Sequence, residues 1–171
     1  MDTLNYKGKT YKRYSSKWLD INNLIVCDSL QRMLNMEFVK NMDVSHLETN
    51  ELISNGDKFK ASYSYYLAIK YYEAAVEKSS MQETSYILPR LASCYRKINQ
   101  PLKVIKIATY AKQNFGSKLL TAPLLTSTAA AYCDLGEYSN AKKCCDLAYA
   151  MLGGAANEEL NLVYKRLKKE M

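Results

Sequence analysis

His46 is the single histidine of the chain, so any Ser-His-Asp or Cys-His constellation would have to pass through it. It stands in Ser45-His-Leu-Glu48, where a hydroxyl followed three residues later by a carboxylate is the pattern of a capped helix start. A surface residue at a helix start is the reading that follows. Cys144 and Cys145 are neighbours, and on a helix their side chains diverge by about 100°. They therefore do not clasp one tetrahedral metal as two cysteines at two-residue spacing do. With Cys27, Cys94 and Cys133 they make an odd set of five without paired spacing, which points to buried thiols in a reducing compartment. Glu48, Glu51, Glu158 and Glu159 fall in the first turns of expected helices, where a carboxylate favours the dipole. Acid–base catalysis would need them in a buried cleft. Gly153-Gly154 lacks the strand and the lysine of a phosphate loop. No catalytic residue, no metal and no cofactor is expected.

The totals agree with a binding protein. A chain of 171 residues with 48% hydrophobic and 24% charged residues has the balance of one globular domain, and no apolar run is long enough for a membrane span. The first residues alternate basic groups with tyrosines and carry no apolar signal core, so a cytoplasmic location is expected. The net charge of +7 sits at the ends. Residues 1 to 17 hold Lys7, Lys9, Lys12, Arg13 and Lys17 against Asp2, and residues 165 to 171 hold Lys165, Arg166, Lys168 and Lys169 against Glu170. The stretch between them balances, which weakens the case for an electropositive body made for nucleic acid.

Positioning elements emerge from an internal period. Tyr138, Ala141, Cys145 and Ala148 form one helical stripe after the stop at Gly136. Tyr65, Ala68, Tyr72 and Ala75 repeat its spacing, as do Pro101, Val104, Ala108 and Ala111. From Ala75 to Ala111 is 36 residues and from Ala111 to Ala148 is 37. Ahead of each stripe runs a large-small-large set: Leu52, Gly56, Phe59; Leu88, Ala92, Tyr95; Leu125, Ala129, Tyr132. Small residues at these spacings let antiparallel helices dock closely.

With a spacing close to the roughly 34-residue period of that class, this pattern resembles the tetratricopeptide repeat over about residues 46 to 170. The resemblance implies an all-α fold: an α-solenoid of three tetratricopeptide-like hairpins with N- and C-terminal capping helices. Asp28 to Gln31 suggests a capped helix over 28 to 42, with Leu30, Met33, Leu34, Phe38 and Met42 inward, covering the first repeat. A helix over 156 to 170, with Leu160, Val163, Tyr164 and Leu167 on one side, covers the last. The expected division is residues 1–27, a basic tyrosine-rich segment; 28–45, the capping helix and linker; and 46–171, the repeat domain with its end helix. Residues 4 to 14 fit a short hairpin around Gly8 and equally a solvated tail, and Leu24 to Cys27 fit a buried strand or the front of the helix; deleting residues 1 to 13 and 168 to 171 is expected to leave the fold intact. Tyr63 replaces the turn glycine of the third hairpin, which predicts another turn geometry. Asn99 is expected to cap the helix that Pro101 opens, and Pro89 and Pro123 to lie near helix starts.

In this repeat class the first helix of each pair lines a groove for a partner, which implies a site at Ile53, Asp57, Lys60, Tyr86, Ser93, Arg96, Lys97, Thr126 and Asp134. Members that grip a chaperone's C-terminal carboxylate carry basic or amide residues where this chain has Ile53, Asp57, Pro123 and Ser127, so that subclass is disfavoured. The expected function is a non-catalytic scaffold or adaptor holding a peptide or helix of another protein. The alternatives are a chaperone similar to those of bacterial translocator proteins, and a nucleic-acid-associated regulator using the basic termini. Tyr71, Tyr86 and Tyr110 are left for exposed contacts.

Overall fold

The computed structural model describes residues 2–170. Among these residues lie three strands, β1 (Asp2–Tyr6), β2 (Lys9–Tyr14) and β3 (Lys17–Leu19), then α1 (Asp28–Lys40), α2 (Thr49–Ala61), α3 (Tyr65–Lys78), α4 (Met81–Lys97) and α5 (Pro101–Phe115). A short 3-10 turn at Gly116–Leu119 leads to α6 (Ala122–Asp134), α7 (Tyr138–Met151) and α8 (Glu158–Glu170). The chain divides into two compact units, residues 1–75 and 76–171.

The sheet corrects the all-α expectation. β2 pairs antiparallel with β1 and β3, and Lys7 and Gly8 turn the first hairpin with positive φ. Alternation along β2 sends Tyr11 and Arg13 to one face and Lys12 and Tyr14 to the other. The inner face closes over Trp18 and Leu34, both fully buried, with Leu4, Tyr6, Leu30 and Phe38 around them. Asp28 to Gln31 is not a capping box. Cys27 holds the cap position without a side-chain capping bond, and buried Gln31 acts as a strand partner instead. Its Oε1 accepts from Trp18 N at 2.8 Å and its Nε2 donates to Trp18 O at 2.8 Å, satisfying both backbone groups that a sheet neighbour would. The inward face of α1 therefore serves the sheet, and Met33, expected inside, is exposed. Leu24 and Ile25 are also exposed, so no buried strand runs there.

The first long hairpin starts at Glu48 rather than Ser45, whose N–H instead donates to Asp43 in a local turn. Glu48 N donates to Glu51 at 3.2 Å, so the cap box lies one turn later than the pattern suggested. Gly56 is there because Tyr72 is: a Cβ on Gly56 would stand 2.6 Å from the Tyr72 ring. The Tyr72 hydroxyl donates to Asp57 at 2.5 Å, and Phe59 stacks on Tyr71 at 5.3 Å.

The three inter-helix turns are alike, against the expectation for Tyr63 and Asn99. Tyr63, Asn99 and Gly136 all have positive φ, at 59°, 59° and 74°. Each is followed by an N–H that donates five residues back: Ser64 to Phe59, Gln100 to Tyr95 and Glu137 to Tyr132, at 2.8 to 2.9 Å. This is the Schellman closure of a helix end. Asn99 thus stops α4 rather than capping α5, where Gln100 holds the cap position without a side-chain bond. Pro101 and Pro123 do open helices, but Pro89 lies inside α4. The helix runs through it because buried Ile87, Leu88, Leu91 and Ala92 hold both flanks.

In the second unit the expected stripes meet. Leu125 and Ala129 of α6, Ala141, Cys145 and Ala148 of α7, and Leu160, Val163 and Leu167 of α8 share one core. Burying each large apolar side chain contributes about 1.5–3 kcal/mol.

Candidate functional site

α4, α6 and α8 enclose a cleft of about 460 Å³ in the second unit, room for a few side chains. Ser93, Arg96 and Lys97 enter from α4, Ala130 and Asp134 from α6, and Glu159, Leu162, Val163 and Arg166 from α8. The α4 and α8 contributors lie three or four residues apart and so share one face of each helix. Arg166 Nη1 donates to Asp134 Oδ1 at 2.5 Å, and that bond raises the pKa of Arg166. The pair occupies both charges. Arg96 and Lys97 then face Glu159, leaving an excess of positive charge beside exposed Leu162. Arg96 Nε is buried with no hydrogen-bond partner among the described residues. Such a donor is costly until something accepts from it.

Of the nine site residues expected from sequence, Ser93, Arg96, Lys97 and Asp134 line this cleft. Tyr86 lies on the same helix as Ser93, two turns earlier. Its ring is 41% exposed, with the Arg90 guanidinium stacked 3.3 Å from its centre. Thr126 is buried, and its hydroxyl donates to Ala122 O at 2.8 Å. Ile53, Asp57 and Lys60 lie on α2 in the first unit, half-buried, with Asp57 engaged by Tyr72. Sequence reasoning missed Arg90 and the whole α8 wall. The signal was present, since Glu159, Leu162, Val163 and Arg166 are spaced as a second stripe beside the apolar one.

No family model and no curated protein matches the chain. Solved structures do. The NMR structure of the second TPR domain of the human RPAP3 protein, in complex with the HSP70 peptide SGPTIEEVD, superposes with a TM-score of 0.60. It is 19% identical, covering 72% of this chain and 98% of that one. This chain carries a tetratricopeptide-like helical-repeat fold. In that fold α4 and α6 are first helices of their hairpins, and α8 follows the last tetratricopeptide-like pair. His46 is exposed on the stretch before α2. Among the described residues no group of three or more His, Cys, Asp or Glu side chains is placed to hold a metal, and no helix is long and apolar enough to cross a membrane.

Cysteine environments follow burial. Cys94, Cys133 and Cys145 are buried, Cys144 is half-buried, and Cys27 is exposed, which corrects the expectation that all five are interior. Burial raises the thiols of Cys133, Cys144 and Cys145, the last to about 12. The hydrogen bond with Ser29 lowers that of Cys27.

Proposed function

We propose that this protein is a non-catalytic scaffold that holds a short segment of a partner protein in the α4–α6–α8 cleft. The observation that carries the reading is Arg96: a partly exposed guanidinium with an unsatisfied buried Nε, next to Lys97 and an open apolar strip. A partner carboxylate satisfies both cations through charge-assisted bonds, while an apolar neighbour covers Leu162. The repeat neighbour described above holds a peptide with two glutamates and an aspartate, which agrees in charge. The grip differs in kind from the carboxylate clamp of other members, because Ile53 and Asp57 stand at its positions on α2 and Ser127, at its position on α6, is buried. In this reading α2–α3, α4–α5 and α6–α7 are three repeats within residues 46–171, and α8 covers the last while forming a wall of the site. Tyr86 with Arg90 extends the surface along α4, Ile53 and Lys60 belong to the contact face of the first repeat, and the protein works in the cytoplasm.

The test is recovery of partners from the native cell with wild type, with Arg96→Glu/Lys97→Glu and with Tyr86→Ala/Arg96→Ala, thermal stability being measured in parallel. Lost capture by stable variants supports the cleft; full capture by both moves the site elsewhere.

A second reading has its own observation. Arg13 lies buried against Asp2, 3.5 Å away, so the free charges of the sheet are Lys7, Lys9, Lys12 and Lys17, all exposed. Four solvated lysines on one small sheet suit phosphate, and a steep loss of binding with added salt marks that use.

A further inference from the structure

A second groove lies on the opposite side of α6. It has a volume of about 620 Å³, with Ile105, Ala108 and Lys112 of α5 on one wall, Cys144 and Leu147 of α7 on the other, and Leu125 and Tyr132 of α6 in the floor. Leu125, Thr128 and Tyr132 point roughly opposite to Ala130 and Asp134 around the α6 axis, so the two grooves are separate. The walls continue as apolar stripes. Leu102, one turn before Ile105, is 63% exposed; Leu147 is 54% and Met151, one turn later, 51% exposed. Exposed aliphatics aligned along both edges of a groove are more than the scattered apolar residues of an ordinary surface.

The charge around it is mainly positive, with the Glu137 carboxylate near Tyr132 at one end. From Thr84 to Cys133 the chain contains no Asp or Glu, yet it holds Arg90, Arg96, Lys97, Lys103, Lys106, Lys112 and Lys118. None of the described residues lining the groove carries a carboxylate, and Lys112 stands in its wall; the exposed Lys106 and Lys143 are the chain neighbours of the wall residues Ile105 and Cys144. The carboxylate of Asp146 on α7 is engaged by Lys142 at 2.9 Å and by the Tyr164 hydroxyl of α8 at 3.1 Å. An apolar trough with a lysine in its wall and further lysines along the two flanking helices selects its occupant by shape and by charge.

We infer that the α5–α6–α7 groove docks an acidic amphipathic helix of a partner protein, with its apolar face on Ile105, Leu125 and Leu147 and its carboxylates against Lys106, Lys112 and Lys143. The inference is independent of the α4–α6–α8 cleft and survives if that reading fails.

The probe is a fluorescein-labelled helical peptide of about 14 residues, long enough to run beside the three turns from Leu102 to Lys112, with leucines on one face and glutamates on the other. Its control replaces every glutamate by lysine. Fluorescence anisotropy is expected to show saturable binding of the acidic peptide, weakened by salt, with the lysine peptide at least about tenfold weaker. Leu147→Asp and Lys112→Glu each lower affinity about tenfold or more at unchanged melting temperature, and both positions are exposed enough to accept the change. Neither position lines the α4–α6–α8 cleft, so the loss reports the α5–α6–α7 groove. Equal binding of the two peptides, or no loss in Leu147→Asp and Lys112→Glu, overturns the proposal. So does a concentration-dependent dimer in sedimentation that Leu147→Asp abolishes, since the groove then serves a second copy of this chain.

Discussion

At the residue scale the sharpest constraint is Gly56. Alanine gains about 1 kcal/mol of helix propensity over glycine, but the added carbon would lie 2.6 Å from a ring that is fully buried and tethered by its hydroxyl to Asp57. Overpacking of about 1–3 kcal/mol therefore wins, and Gly56→Ala is expected to lower the thermal midpoint; an unchanged midpoint would place Tyr72 elsewhere. Gln31 is a second such residue. Gln31→Leu keeps size but removes the acceptor of the buried Trp18 N–H, costing on the order of 1–3 kcal/mol, while Trp18 O keeps the bond from Val26 N at 3.2 Å. Trp18 is the only tryptophan, so its emission reports the loss directly as a red shift. The thiols give a third expectation. Native alkylation at mildly alkaline pH modifies Cys27 first, because its thiolate is both exposed and favoured, while Cys145 reacts only after unfolding.

At the element scale the turns teach the most. From Tyr63 to Asn99 is 36 residues and from Asn99 to Gly136 is 37, the same register as the helix stripes. A left-handed residue at these positions is what closes each first helix, whatever its side chain. Tyr63 bears that conformation at a cost glycine does not have, and its ring is 76% exposed, with Tyr65 edge-on at 6.2 Å. Tyr63→Gly is accordingly expected to hold or raise stability, by up to about 1 kcal/mol; a clear loss would show that the ring contact outweighs the strain. The N-terminal strands reverse an expectation. Deleting residues 1 to 13 removes β1 and most of β2, including Tyr11 and Arg13, and uncovers Trp18 and Leu34. Loss of the buried tryptophan signal is the expected outcome.

At the scale of the whole molecule, burial is concentrated. In α6 most residues are buried, from Ala122 to Cys133, with α5, α7 and α8 packed around it. Its amides are expected to exchange slowest in hydrogen–deuterium exchange, and those of the exposed stretch from Asp20 to Cys27 fastest. Charge is also distributed differently from a count of the ends. The balance of the middle conceals an acid-free stretch over residues 84–133, offset by carboxylates before and after it. Near the C-terminus, Arg166 is spent on Asp134, so the end of α8 is less free than its composition suggests.

The helical stripes, their 36- and 37-residue spacing and the second-unit core of Leu125, Ala129, Ala141, Cys145, Ala148, Leu160, Val163 and Leu167 were legible in the sequence, because local periodicity dictates which face of a helix is apolar. So were Ser93, Arg96, Lys97 and Asp134 as lining residues, since the first-helix rule is a matter of register. Tertiary structure decided the rest. Gln31 looked like a helix cap because a capping box and a side chain pairing with a distant strand use the same residue types. Thr126 looked available because a threonine's exposure depends on neighbours far along the chain. The α8 wall, the Arg166–Asp134 pair and the two faces of α6 arise only when helices separated by tens of residues are packed together, and a one-dimensional pattern carries no information about which side of a helix its partners leave open.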